Sequence, residues 1–383
     1  MEFIDLKKQY NDIAAGLGRR LGSVMSGTRF IFGEETEELE VRLAAYTGRK
    51  HCISCSSGTD ALLMPLMAWQ AGKGDAVFVP AFTFFATAEV ASMLGAEVVF
   101  VDIEPGTFNM DPAKLRKAAE RVKAEGRLRL RAVIAADIFG QPARNPEIEG
   151  LAAEYGMFFL EDAAQGFGGR IGSRAAGSFG DAAATSFFPA KPLGCYGDGG
   201  AVFTDSDELA GLLRSIRVHG QGREKYQNVR IGLNARLDNM QAAVLLEKLT
   251  VFDKETAAKN VIAERYSAAL AGLLETPAVL PGYYSSWAQY SLLAEGPEER
   301  EFIIGRLKSQ GVPTAIYYKA PLHEQPVYKG YDRRGDDLSA SERICKRVFS
   351  IPMHAYLSDA DIELITGTIA KACAEYRGDA HSA

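Results

Sequence analysis

Lys191 has the surroundings that most constrain what this chain can do. It stands in Ser186-Phe187-Phe188-Pro189-Ala190-Lys191-Pro192-Leu193-Gly194-Cys195-Tyr196-Gly197-Asp198-Gly199-Gly200, between two prolines and ahead of a glycine-rich turn, and so cannot lie inside a helix. Apolar neighbours lower the pKa of a lysine by desolvation, and only a neutral amine attacks a carbonyl carbon. Imine formation is the chemistry that suits this position. Its ordinary alternative is a solvated loop lysine.

Two further stretches carry chemistry. Cys55-Ser56-Ser57-Gly58-Thr59-Asp60-Ala61-Leu62 places small and hydroxylated residues between a short strand and a helix. Free N–H groups and the positive end of the helix dipole favour an anion there, Gly58 permits close backbone approach, and Thr59 adds a hydroxyl donor. The segment reads as a phosphate seat, or else as a plain capped helix start. Asp60 would repel a phosphate and is expected to point away. In Phe158-Phe159-Leu160-Glu161-Asp162-Ala163-Ala164-Gln165 an apolar run ends in acids beyond the carboxyl end of a strand, where open α/β sheets bind ligands. A carboxylate at Asp162 can hold a proton on a heteroaromatic nitrogen, and Gln165 follows about one helical turn later. Alone, this acidic strand end could equally cap a helix.

The three segments together are worth more than each alone. A phosphate seat, an acid for a pyridine nitrogen and an imine-forming lysine occur in the order that pyridoxal 5′-phosphate would demand. At these residues the sequence resembles the fold type I enzymes of the aspartate aminotransferase superfamily, and among them the DegT/StrS group that aminates nucleotide-linked keto sugars. The likeness runs from Glu2-Phe3-Ile4-Asp5-Leu6-Lys7 to Ser350-Ile351-Pro352-Met353-His354, nearly the whole chain.

The resemblance implies a three-layer α/β fold, with a large, mostly parallel seven-stranded sheet domain and a smaller C-terminal α/β domain. It implies that Lys191 holds the cofactor as an imine and shuttles the proton between carbons, and that Asp162 protonates the ring nitrogen. Gln165 would bond near the ring hydroxyl, Gly58, Thr59 and Ser186 would bind the phosphate, and Phe84 of Ala81-Phe82-Thr83-Phe84-Phe85-Ala86-Thr87 would stack on the ring. Phe84 is equally explained as core in so apolar a segment.

Gly232-Leu233-Asn234-Ala235-Arg236-Leu237-Asp238 looks like the stretch by which such enzymes enter the neighbouring subunit's site. Asn234 would touch the partner's phosphate, which requires a homodimer with shared sites. The Arg236 fork suits a carboxylate on the sugar or on the amino donor, unless it merely forms a surface ion pair. Within the group, the Ser186 to Gly200 stretch, Arg217-Val218-His219-Gly220-Gln221 and Asn234-Ala235-Arg236 are most similar to enzymes that use glutamate to aminate C3 of UDP-2-acetamido-2-deoxy-3-oxo-glucuronate, a precursor of surface polysaccharide such as lipopolysaccharide O-antigen. One position departs: Tyr317 stands where that pattern has histidine, while Tyr318 matches. If Tyr317 contacts the sugar, a 3- or 4-keto-6-deoxyhexose nucleotide becomes the alternative substrate. Sugar dehydratases of the same fold resemble this chain with histidine at the lysine position, and Lys191 argues against them. A non-catalytic nucleotide-sugar sensor remains the reading from another class.

The elements that must position these residues follow from hydrophobic periodicity. Short apolar runs at Ala76 to Pro80, Glu97 to Asp102, Arg131 to Ala136 and Met157 to Asp162 alternate with helical patterns at Thr59 to Ala71, Pro112 to Lys123 and Asn145 to Tyr155. This alternation predicts a mostly parallel sheet buried on both faces. From Asp181 the runs become closely spaced, at Ala182 to Phe188 and Gly200 to Thr204, and the sheet is expected to end there before a helix capped by Asp205 or Ser206. Asp238 to Leu270 reads as one long helical stretch, continuous or interrupted. The boundary falls near residue 250, giving a cofactor-binding domain over 1–250 and a smaller one over 251–383. The latter is expected to hold strands at Trp287 to Ala294 and Pro313 to Tyr318, and helices at Pro297 to Gln310, Ser339 to Phe349 and Ser358 to Tyr376.

Composition narrows the remaining classes. The chain has 383 residues, 47% of them apolar and 24% charged, enough to bury a sizeable core in about two domains. A formal charge of −6 and the lack of a Lys/Arg cluster on an aromatic-rich strand argue against nucleic acid. Apolar stretches are too short for a membrane span, and the acids near Met1 do not suit a secretory leader, so a cytoplasmic location is expected. Five scattered cysteines fit a reducing compartment. Cys52-Ile53-Ser54-Cys55 has no second ligand pair, and no metal is expected.

Overall fold

A computed structural model describes residues 1–224, 226–329 and 337–380. Helices α1 (Leu6–Gly27) and α2 (Glu34–Thr47) lead into β1 (His51–Cys55), α3 (Gly58–Ala68), β2 (Asp75–Pro80), α4 (Ala86–Met93), β3 (Glu97–Val101), α5 (Pro112–Glu125), β4 (Arg129–Ala136), α6 (Asn145–Tyr155) and β5 (Phe158–Asp162). A two-strand turn, β6 (Arg170–Ile171) and β7 (Arg174–Ala175), precedes β8 (Ala182–Ser186), β9 (Gly200–Thr204) and α7 (Asp207–Ile216). The chain continues through α8 (Asn239–Leu249), α9 (Phe252–Leu270), β10 (Tyr283–Tyr284), β11 (Tyr290–Leu293), α10 (Pro297–Ser309), α11 (Ser339–Arg347), β12 (Val348–Ile351) and α12 (Asp359–Ala380).

Local chemistry explains the helix ends. The Asp111 carboxylate accepts the Ala113 and Lys114 N–H groups at the start of α5, Pro112 fills the first helical position, and Gly126 closes the helix at φ +65°. Ser206 caps α7, its hydroxyl accepting the Leu209 N–H at 3.1 Å.

Seven strands form one sheet in the order β1-β9-β8-β5-β4-β2-β3. Strands β3, β2, β4, β5 and β8 run parallel, with Ala136 beside Asp162 and Asp162 beside Ala184. Alternation sorts their side chains between two layers. Val77, Val79, Ile134 and Leu160 pack beneath α3, α4 and α7, while Phe78, Val133 and Phe159 pack against α5 and α6. A third core joins α1, α2 and α8 to Cys52, Ala183 and Phe203. The carboxyl ends of β2, β4, β5 and β8 therefore meet at one rim.

The C-terminal part builds a separate core around Tyr266, Tyr290, Phe349, Ile365 and Ile369, with β11 antiparallel to β12. Helix α8 packs on α1 and α2, whereas α9 packs on α12.

The last strand of the sheet in sequence is β9, as expected: β8 pairs parallel with β5, and β9 turns antiparallel to close onto β1. The helical stretch over Asp238 to Leu270 is the interrupted form, two helices broken at Thr250 and Val251. Two expectations need correcting. The helix expected over Ser339 to Phe349 stops at Arg347, because Val348-Phe349-Ser350-Ile351 pairs with β11 instead. Pro313 to Tyr318 forms only one bridge, Ala315 with Ser350, after which the chain departs from β12. Pro313 has no N–H to extend that pairing.

Candidate active site

Beyond the rim of the parallel strands lies a cleft of about 580 Å³, within the range of small-molecule sites. Its walls include Gly58, Thr59, Phe84, Asp162, Gln165, Ser186, Lys191, Tyr317 and Tyr318. Nine residues singled out in the sequence thus converge, though they span 260 positions.

The start of α3 forms one wall. Ser57 caps the helix, its hydroxyl accepting the Asp60 N–H at 3.0 Å. The Asp60 carboxylate accepts from the hydroxyls of Ser56 and Ser57 and is not a wall of the cleft. A Cβ on Gly58 would lie 2.6 Å from Ser186 Cβ, so only glycine lets the helix N-terminus press against the end of β8. Backbone N–H groups and the Thr59 and Ser186 hydroxyls line the resulting hollow, a cradle for an oxyanion.

Asp162 ends β5 and is 7% exposed. Burial pushes its carboxyl up from the usual range, against the opposing pull of Thr87, Lys191 and the Ala164 N–H. Facing it, Lys191 lies in the turn after β8, its amine pushed down by burial and partly restored by the Asp162 charge. Gln165 is fixed from two sides: Oε1 accepts the Phe139 N–H at 2.9 Å, and Nε2 donates to the Tyr318 hydroxyl at 3.2 Å. One N–H of that amide remains to be given. Tyr318 is buried against Phe82 at 5.7 Å between ring centroids, and burial pushes its hydroxyl up. Phe84 is 54% exposed and is a cleft wall, not core.

Asn234 and Arg236 are not walls of this cleft. Asn234 is exposed and bridges Val218 at the base of a projecting arm, on which Tyr226 and Ile231 stand out into solvent. Arg236 makes no ion pair among the described residues, so the ordinary use of a surface arginine is not its use here. Arg217, in contrast, is consumed internally by Glu40 at 2.6 Å and the Ser54 carbonyl at 2.8 Å.

The sequence reading missed several walls. Thr83 and Thr87, four residues apart, were passed over in a segment read for its aromatics, yet Thr87 Oγ1 donates to Asp162 Oδ2 at 2.8 Å. Asp137, Asp198, Phe188 and Gln289 also border the cleft. Asp137 and Glu161 are fully buried and both accept from the Asn145 amide, at 3.1 and 3.3 Å. Burial raises both carboxyls, Glu161 to about 7, and the Glu161 charge pushes Asp137 further up.

Behind Lys191 lies a smaller basin of about 50 Å³, enclosed by the N-terminal segment, Pro189 to Pro192, α9 and Tyr356. Lys259 opens into it, 8% exposed and without a hydrogen bond or ion pair among the described residues. Burial pushes this amine down to about 8. Lys248, over the Tyr196 ring at 4.4 Å, is likewise pushed down to about 8 by burial. The five cysteines are free and buried, and among the described residues the only metal-sized group of ligand side chains is His323, Glu324 and Glu342. No described helix is long and apolar enough to cross a membrane.

The residues present fit pyridoxal 5′-phosphate: an oxyanion cradle that a single Cβ would fill, an acid and a desolvated amine share one hollow. Known proteins agree with that chemistry. The model of the DegT/DnrJ/EryC1/StrS aminotransferase family matches residues 12–370. The UDP-2-acetamido-2-deoxy-3-oxo-D-glucuronate aminotransferase of Pseudomonas aeruginosa is 41% identical over 370 residues, 96% of this chain and 99% of that one. Among solved structures, a DegT DnrJ EryC1 StrS aminotransferase from Brucella abortus superposes with a TM-score of 0.95 at 47% identity, covering 97% and 99% of the two chains. NtdA of Bacillus subtilis, solved with bound cofactor PMP, gives 0.85 at 27% identity over 95% of this chain and 82% of that one.

Proposed function

The chain belongs to the DegT/DnrJ/EryC1/StrS aminotransferase family, and from that premise we propose that it transfers the amino group of glutamate to a nucleotide-linked ketosugar with pyridoxal 5′-phosphate as carrier. The observation that carries this reading is the single cleft holding the Lys191 amine, the Asp162 carboxylate and the Gly58–Ser186 cradle. The cofactor supplies an aldehyde carbon and an electron-withdrawing ring on which an amino group is stored between two substrates.

The chain's own groups do the rest. Lys191, its amine pushed down by burial, would hold the cofactor through its aldehyde and serve as the group that moves the proton in both half-reactions. Asp162 would support a proton on the ring nitrogen. Gln165 would offer its spare N–H to the ring hydroxyl, and Phe84 would pack against the ring. Gly58, Thr59 and Ser186 would hold the phosphate. Asn234 and Arg236 serve the cleft of a second copy, so the active unit is a homodimer, with Asn234 at the phosphate and Arg236 taking a carboxylate of sugar or donor. Tyr317 and Tyr318 face the sugar. In this reading residues 1–250 bind the cofactor, residues 251–383 form the smaller domain, and the enzyme works in the cytoplasm.

The Pseudomonas aeruginosa relative supports C3 of UDP-2-acetamido-2-deoxy-3-oxo-glucuronate as the position aminated; in this reading the product feeds surface polysaccharide such as O-antigen. Tyr317, a cleft wall where histidine was expected, favours a second reading, a 3- or 4-keto-6-deoxyhexose nucleotide. UDP- and dTDP-ketosugars assayed with glutamate, the products weighed by mass spectrometry, separate the two. Glutamate-dependent amination of the uronate is expected. Conversion of a deoxyhexose alone moves the assignment to the second reading, and no amination of any sugar ends both.

A further inference from the structure

The turn between β2 and α4 that presents Phe84 to the cleft also carries Thr83, another wall of the cleft, and Thr87 follows in the first turn of α4. Thr83 and Thr87 are 2% and 0% exposed. Thr87 Oγ1 lies 2.8 Å from Asp162 Oδ2 and 3.1 Å from Thr83 Oγ1. The bond to Asp162 crosses the end of β4, which separates β2 from β5 in the sheet.

A hydroxyl carries a single proton, and an ionised carboxylate can only accept. Thr87 therefore gives its proton to Asp162, which leaves its lone pairs to accept the Thr83 proton. The direction Thr83 to Thr87 to Asp162 is fixed for as long as Asp162 is ionised, and each link polarises the next. The other oxygen, Asp162 Oδ1, accepts the Ala164 N–H at 3.2 Å.

We propose that Thr87, backed by Thr83, is a positioning residue that keeps Asp162 ionised and aimed into the cleft, where the ring nitrogen of the cofactor would lie. The cofactor clause rests on the function proposed above; the hydroxyl chain does not. Burial pushes the Asp162 carboxyl up, and Thr87 is the largest influence against it, ahead of Lys191 and the Ala164 N–H. The other titratable group that faces Asp162 is Tyr318, whose hydroxyl is pushed up by burial; Glu161, next to it along β5, points to the opposite face of the sheet, toward Asn145, Gly177 and Phe179. No other side chain donates to the carboxylate among the described residues.

The test uses Thr87→Val and Thr87→Ser. In the cofactor-free protein labelled at aspartate carboxyl carbons, with Asp162→Asn to assign the signal, Thr87→Val should raise the proton affinity of Asp162 about tenfold, and Thr87→Ser should restore it. In the loaded enzyme the acidic limb of the kcat/KM profile and the pH at which the visible band titrates should move upward with Val and return with Ser. An Asp162 midpoint unmoved by Thr87→Val, or moved equally by Thr87→Ser, overturns the proposal. Should Thr87→Val fail to fold, Thr83→Val carries the same test with a smaller shift of the same sign. The two possible failures are distinguishable. An unshifted carboxyl in the empty protein sinks the hydroxyl chain, whereas a wild-type protein that takes up no pyridoxal phosphate sinks the function.

Discussion

Lys191 has two sides, and they are built differently. On the cleft side Gln165 and Asp162 are held by named partners, and each keeps a hydrogen-bonding position turned to the hollow. On the basin side Glu255 is occupied by Gln9 at 2.8 Å and Tyr356 at 2.6 Å, and the Lys259 amine is left without a partner among the described residues. Lys191, Lys248 and Lys259 all have amines pushed down by burial. A depressed amine therefore does not mark a reactive one. What sets Lys191 apart is an acid across an open cleft and an oxyanion cradle beside it.

Exchanging the two sides gives the largest effect. Lys191→Ala should lower turnover roughly 10³-fold or more and abolish the visible band of the lysine-bound cofactor. Lys259→Met should leave turnover within about threefold, since nothing at Lys259 faces Asp162. Equal losses in the two variants would erase the distinction.

A smaller effect sharpens the cleft side. Gly58→Ala drives a Cβ to 2.6 Å from Ser186 Cβ and 3.2 Å from its Cα, so the helix start must back away from β8. Retention of pyridoxal phosphate, read as the dissociation constant by absorbance, should weaken about tenfold, and stability should fall by about 1–3 kcal/mol. Unchanged binding would show that the cradle is not where the phosphate sits.

The smallest concerns the basin. A lysine whose folded pKa is about 8, below its unfolded value, binds fewer protons folded than unfolded, so its cost to stability is full below pH 8 and fades as pH rises toward the unfolded value. Lys259→Met should raise Tm at neutral pH by a few degrees, consistent with about 1 kcal/mol, and the gain should vanish near pH ~10. A gain that persists there would point to packing instead of charge.

Legibility in the sequence followed the range of the interactions. Strands β2 to β5 were readable because their central residues are buried on both faces, which makes each a largely apolar run, and β5 ends in Asp162. Gly58, Asp162 and Lys191 stand at changes of element, where local chemistry alone limits the residue types. Thr87 was not readable, because its value depends on a bond to a residue 75 positions away across β4. Helix α1 drew no reading, since four glycines among its 22 residues blur its pattern, and tertiary packing on α8 decides it. Phe349 was assigned to a helix although it pairs with Leu292 of β11, and the backbone of the next residue, Ser350, is shared between β11 and Ala315. No local period announces such a shared position.

The pairing of β1 with β9 also sets an order of events. His51 lies beside Thr204 and Cys55 beside Gly200, so among the described residues the first strand has its one neighbour about 150 residues downstream. On a ribosome β1 must wait, unpaired and apolar, until that stretch has emerged, and so must the junction of Gly58 with Ser186. The inner parallel strands can assemble during this interval, which makes the Gly58–Ser186 junction one of the last parts of the sheet domain to form. A chain stalled before residue 200 would carry Asp162 and Lys191 without that junction, and its open edge would be a target for chaperones.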